Sequence, residues 1–139
     1  MAQVELRREP DWSPRLIALV NDWRGRPYAY GVTDCWQFML AAVRCQTGVE
    51  LMPGVVWPTS LVGVVRIMIA NGWENLEDAM DALLPSQPLE DARPGDIVSF
   101  VQGGEVHMAV RVGDTALTPG LSGLAAFGPK TWKRAWRVG

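Results

Sequence analysis

The sequence has one histidine, His107, and two cysteines, Cys35 and Cys45, in 139 residues. That scarcity excludes a structural zinc site, which takes four Cys or His ligands or nearly so. It also confines imidazole chemistry to His107 and thiol chemistry to the two cysteines. Two thiols in so apolar a chain are no disulfide framework, and a reducing folding compartment is expected. An excess of one charge is lacking too. Thirteen basic against 15 acidic residues leave a net charge of -2, so no overall field selects nucleic acid or an anionic membrane. The most apolar window, 61–70, is about half a membrane span and contains Arg66. The first residues are charged and lack the apolar core of a signal peptide, so synthesis in a cytoplasm is expected.

What is present is a foldable composition, 48% hydrophobic and 20% charged, which excludes an intrinsically disordered chain. The length suits a single domain over 1–139. The first half reads as helices and the second as strands and turns. Ser13-Pro14 is a helix start, followed by Leu16, Ile17, Leu19, Val20 and Trp23 at helical spacing. Thr33 or Asp34 would cap a second helix over 35–46, stopped by Gly48. A third helix is expected over about 60–70 and a shorter fourth over 75–84.

After Pro85 the pattern changes. Strands are expected at 97–101, 106–112, 115–118 and 134–138, with Gly103-Gly104 as a hairpin turn. In the second strand Val106, Met108, Val110 and Val112 share one face, and His107, Ala109 and Arg111 the other. The fold class is therefore α+β, with N-terminal helices packed on a small antiparallel sheet.

Cys35 falls in the first turn of its helix, where unpaired N–H groups and the macrodipole favour a thiolate. Cys45 lies near the opposite end, about 15 Å away along the helix, too far for a disulfide. The alternative is that both are small buried hydrophobes. His107 is the one imidazole that can serve as a base. Together the two residues suggest a Cys–His pair, helix N-terminus against strand. The tryptophans Trp12, Trp23, Trp57, Trp73, Trp132 and Trp136 read as core mass, with exposed ones as docking points. The basic tail, Lys130, Lys133, Arg134 and Arg137, reads as a solvated strand face or a contact for an acidic partner.

Three segments carry a family resemblance. Pro27-Tyr28-Ala29-Tyr30-Gly31-Val32-Thr33-Asp34-Cys35-Trp36-Gln37-Phe38 resembles the nucleophile motif of the NlpC/P60 cysteine peptidases. Ala92-Arg93-Pro94-Gly95-Asp96-Ile97-Val98-Ser99-Phe100 is similar to the stretch that opens that family's sheet. Val106-His107-Met108-Ala109-Val110-Arg111-Val112-Gly113 resembles its histidine strand. The order and spacing match over roughly 14–118. The likeness is closest to the short NlpC/P60-like proteins of phage and prophage tail-gene clusters, which share Pro119-Gly120-Leu121 and the terminal Arg134-Ala135-Trp136-Arg137-Val138.

The resemblance implies a papain-like fold and hydrolysis of peptide bonds in bacterial peptidoglycan stem peptides. By position Cys35 would be the nucleophile and His107 the base. Thr118 falls where the family places the residue that orients its histidine. Tyr28 matches a motif tyrosine on the oxyanion or substrate side. Asp34 matches the acidic residue before the nucleophile, with helix capping as its other role. Two departures stand out. Trp36-Gln37 replaces the family's small Ser-Gly pair, whose serine reads a free amine, and Thr118 replaces a stronger orienting residue.

The function expected is a phage tail-associated cysteine peptidase that opens the cell wall during penetration. The alternative is a weakly active or inactive structural subunit of the tail tip or baseplate hub. A cytoplasmic cysteine amidase or acyltransferase on the same scaffold is a third reading. Expected partners are peptidoglycan stem peptides and other tail tip or baseplate proteins, with no nucleic acid and no membrane. The expected location is the virion, after synthesis in the host cytoplasm. No metal and no cofactor are expected.

Overall fold

The helices begin where short polar side chains can satisfy their first N–H groups. In the computed structural model, which describes residue 3 and residues 5–139, α1 spans Trp12–Trp23, α2 Cys35–Thr47, α3 Leu61–Ala70 and α4 Leu76–Leu83. Asp34, Ser60 and Asn75 each accept a backbone N–H at the start of α2, α3 and α4. Helix α1 departs from expectation. It starts at Trp12 after Asp11, whose side chain makes no cap, and Ser13-Pro14 lies inside the first turn. Proline is tolerated there because its missing N–H would be unpaired anyway.

Helix α2 is the centre of the fold. Trp36, Phe38, Met39, Leu40, Ala41, Ala42 and Val43 are all buried along it, the mark of a helix covered on most sides. Gly48 ends it at φ 76, with its N–H returned to the Arg44 carbonyl. Leu16, Val20 and Trp23 of α1 and Met80 and Leu83 of α4 pack into the same core.

Six strands follow: β1 (Ser86–Gln87), β2 (Ile97–Gln102), β3 (Glu105–Val112), β4 (Thr115–Gly120), β5 (Gly123–Phe127) and β6 (Trp132–Trp136). They form one antiparallel sheet in the order β1-β6-β2-β3-β4-β5. The β2–β3 hairpin turns at Gly103-Gly104, which puts Phe100 directly opposite His107. One sheet face (Ile97, Met108, Val110, Trp136) closes the helical core. The other carries a second cluster of Val98, Phe100, Ala109, Ala116 and Ala135, covered by Leu89, Phe127 and Trp132. β1 and β5 were not expected from the sequence. β5 is held from outside the sheet as well, because Leu124 N donates to the Arg24 carbonyl at 3.1 Å. Gly123 sits at φ 118 there, and a Cβ would fall 2.1 Å from that same oxygen, so only glycine fits.

The ends of the chain meet at Asp96. Its fully buried carboxylate accepts from Arg8 (2.7 Å), Gln87 (2.8 Å), Arg93 N (2.9 Å) and Val138 N (3.0 Å). The basic tail finds acidic partners within the chain: Lys133 pairs with Glu77 at 2.7 Å and Arg134 with Asp81 at 2.6 Å. Trp23, Trp36, Trp73 and Trp136 are buried, and Trp12, Trp57 and Trp132 are half-buried and packed against the two apolar clusters. Among the described residues no helix is long and apolar enough to cross a membrane.

Candidate active site

The turn before α2 is fixed at both ends. Asp34 accepts the Gln37 N–H at 2.8 Å with one oxygen and the Gly31 N–H at 2.7 Å with the other. The Thr33 hydroxyl donates to the Pro27 carbonyl at 2.6 Å. Gly31 has φ 75, and a Cβ there would fall 1.9 Å from the Pro58 carbonyl oxygen, so the turn is pressed against the next loop. These ties present Cys35 as the first residue of α2, with Tyr28 and Tyr30 beside it in edge-to-face contact at 5.2 Å.

β3 approaches from the other side. Its ladder with β4 runs from Val112↔Thr115 to Val110↔Leu117. The next hydrogen-bonded position would set Met108 against Pro119, which has no N–H to give. The Thr118 hydroxyl replaces it, donating to the Met108 carbonyl at 2.8 Å. The Met108 N–H faces the Cys35 sulfur instead.

Cys35, His107, Tyr28 and Thr118 line one cleft of about 660 Å3, together with Tyr30, Phe100, Phe127 and the β4–β5 hairpin. The imidazole lies over Phe100 at 5.4 Å, and Phe100 stacks on Phe127 at 4.2 Å. His107 Nε2 is 3.9 Å from the exposed Glu105 carboxylate. Thr118 does share the cleft, yet its hydroxyl proton is spent on the Met108 backbone. Asp34 is 3% exposed with both oxygens bonded, so the structure gives it the capping role. Trp36, the bulky departure next to the cysteine, points into the core against Trp73 at 6.2 Å and does not obstruct the cleft.

The electrostatics correct one expectation. Burial pushes the Cys35 thiol up to about 11, against the N–H groups of Met108, Cys35 and Trp36 that favour the thiolate, and the Asp34 charge adds to the rise. The helix N-terminus acts with the expected sign, but desolvation outweighs it. Burial, followed by the Cys35, Asp34 and Tyr30 charges, also holds the Tyr28 phenol well above its ordinary value, so it remains an O–H donor at neutral pH. Cys45 is half-buried in the last turns of α2, its thiol pointing to the Ala42 carbonyl at 3.3 Å.

Sequence reasoning missed Tyr30, Phe100, Phe127 and Leu121 as parts of the cleft. Phe100 was within reach, since the two-residue turn sets it opposite His107. A wider groove of about 820 Å3 between α3 and the start of β3 contains no nucleophile. Among the described residues no group of three or more His, Cys, Asp or Glu is placed to hold a metal ion.

The profile of a protein family described as a domain of unknown function (DUF6950) matches residues 7–138. No curated protein matches the sequence.

Proposed function

The chain belongs to the DUF6950 family, and we propose that it is a cysteine-dependent peptidase of the NlpC/P60 kind, with a papain-like fold. The observation that carries this reading is the shared cleft: Cys35 from the start of α2 and His107 from β3, with a phenol donor at Tyr28. The resemblance of the nucleophile and histidine segments supplies the substrate class, peptide bonds of bacterial peptidoglycan stem peptides, and the setting, a phage tail acting during cell-wall penetration.

The chemistry follows from a thiol that rests neutral. Cys35 Sγ attacks the scissile carbonyl as His107 takes the thiol proton, so the base acts during attack. The tetrahedral oxyanion is stabilised by N–H groups at the α2 terminus and by the Tyr28 hydroxyl. The imidazolium then gives its proton to the leaving amine as the C–N bond breaks, leaving a thioester on Cys35. Water, deprotonated by His107, hydrolyses the thioester, releases the carboxylate and restores the thiol.

A second reading, a structural subunit of the tail tip or baseplate hub, is favoured by the Thr118 hydroxyl being engaged with Met108 rather than orienting the imidazole. Cys35→Ala separates the two. The peptidase reading expects loss of wall-fragment cleavage with tail particles still assembled. Full cleavage by the variant would overturn it.

A further inference from the structure

We propose that the group held beside Cys35 is uncharged and apolar, an aromatic or aliphatic acyl portion rather than one carrying a free carboxylate or amine. This rests on Cys35 being the nucleophile and narrows what that nucleophile is offered. Among the described residues, those lining the cleft include no Lys, Arg, Asp or Glu. Two carboxylates adjoin Cys35 and His107, those of Asp34 and Glu105, and neither is offered to the cleft. Asp34 is buried and bonded at each oxygen by backbone N–H groups. Glu105 lies outside the lining residues, its side chain 80% exposed.

The walls are made of the opposite material. The His107, Phe100 and Phe127 rings stack in series, and Tyr28 and Tyr30 form a second aromatic pair in the lining. At the rim Leu121 is 90% exposed on the β4–β5 turn and Tyr30 is 38% exposed. An apolar group entering here covers the exposed surface of Tyr30 and Leu121, while Phe100 beneath is already buried. A carboxylate or ammonium would meet no Lys, Arg, Asp or Glu side chain among the lining residues to offset its lost hydration.

The test labels the wild-type chain with N-benzyl-iodoacetamide, iodoacetamide and iodoacetate at one pH, with peptide mapping of both cysteines. Cys45, outside the cleft, is the internal reference for the two uncharged reagents; because Arg15 and Arg44 act on its thiol, the iodoacetate-to-iodoacetamide ratio at Cys35 is compared with that of free glutathione. The benzyl reagent is expected to gain about tenfold over iodoacetamide at Cys35 relative to Cys45, and iodoacetate to fall below both. Ala125→Lys, which puts a cation on the cleft wall, is expected to raise the iodoacetate rate at Cys35 and not at Cys45. Equal ratios of the two uncharged reagents at the two cysteines, an anion preference at Cys35 over free glutathione in the wild type, or no labelling of Cys35 would each overturn the proposal. Alkylation needs no turnover, so a chain that shows this selectivity but cleaves no peptide would retain the proposed recognition and lose the peptidase reading.

Discussion

The Thr118 hydroxyl donates to the backbone carbonyl of Met108 at 2.8 Å, one residue beyond His107. It stands in for the N–H that Pro119 lacks and fixes the β3 backbone where the Met108 N–H faces the Cys35 sulfur. Thr118 is therefore a positioning residue acting through the backbone, not a partner of the imidazole.

Thr118→Val keeps the shape and removes the donor, leaving a buried carbonyl unpaired. The expected cost is about 1–3 kcal/mol, read from the urea midpoint. Thr118→Ser is expected to recover most of it. If Thr118 instead oriented the imidazole, the valine variant would shift the acid limb of the pH–rate profile, which the backbone role leaves in place.

Asp34 has two separable effects. Asp34→Ala removes the acceptor of the Gln37 and Gly31 N–H groups and is expected to cost about 1–2 kcal/mol. Asp34→Asn removes the negative charge that raises the Cys35 thiol, so the midpoint of Cys35 alkylation against pH should fall. An unchanged midpoint would mean that the charge does not reach the sulfur.

The pH dependence of stability has a definite sign. Cys35 titrates at about 11 in the folded chain against 9.0 for an unperturbed thiol, chiefly through burial. The fold favours the proton-bound form, so its contribution is complete below pH 9 and is lost as pH rises through about 11. Urea midpoints of the wild type should therefore drop relative to Cys35→Ala across that interval and run parallel below it. Parallel curves throughout would contradict the upward shift of the half-buried thiol.

Asp96 joins the two ends of the chain, and its removal leaves the Arg8 guanidinium and the Val138 N–H short of an acceptor. Asp96→Ala is expected to lose about 3 kcal/mol or more, with an unchanged denaturant slope. Arg134→Ala breaks a half-exposed pair with Asp81 and a guanidinium contact over the Trp136 ring at 4.8 Å and should cost about 1 kcal/mol.

The legible parts of the fold were those set by local chemistry. The Asp34 cap and Gly48 stop delimit α2, and the alternation through Met108 and Val110 gives the buried face of β3. β5 was not legible, because Leu124, Ala125 and Ala126 show no alternation and the strand depends on pairing with β4 and on the Arg24 carbonyl. The site divides the same way. Cys35 and His107 could be named because cysteine and histidine are scarce. Phe127 could not, since it reaches the Phe100 ring from β5, at the far edge of the sheet. The thiol's direction of shift also needed the structure, because helix polarity can be read from sequence and burial at one atom cannot.

If Cys35 forms an acyl-enzyme with His107 as its base, pre-steady-state hydrolysis of p-nitrophenyl phenylacetate should give a stoichiometric burst of p-nitrophenolate and a phenylacetyl mass increment mapped to Cys35. Both should be absent in Cys35→Ala, and the burst should be slowed about 100-fold or more in His107→Ala. A burst that survives in Cys35→Ala, or an acyl group mapped to another residue, would mean that Cys35 is not the nucleophile.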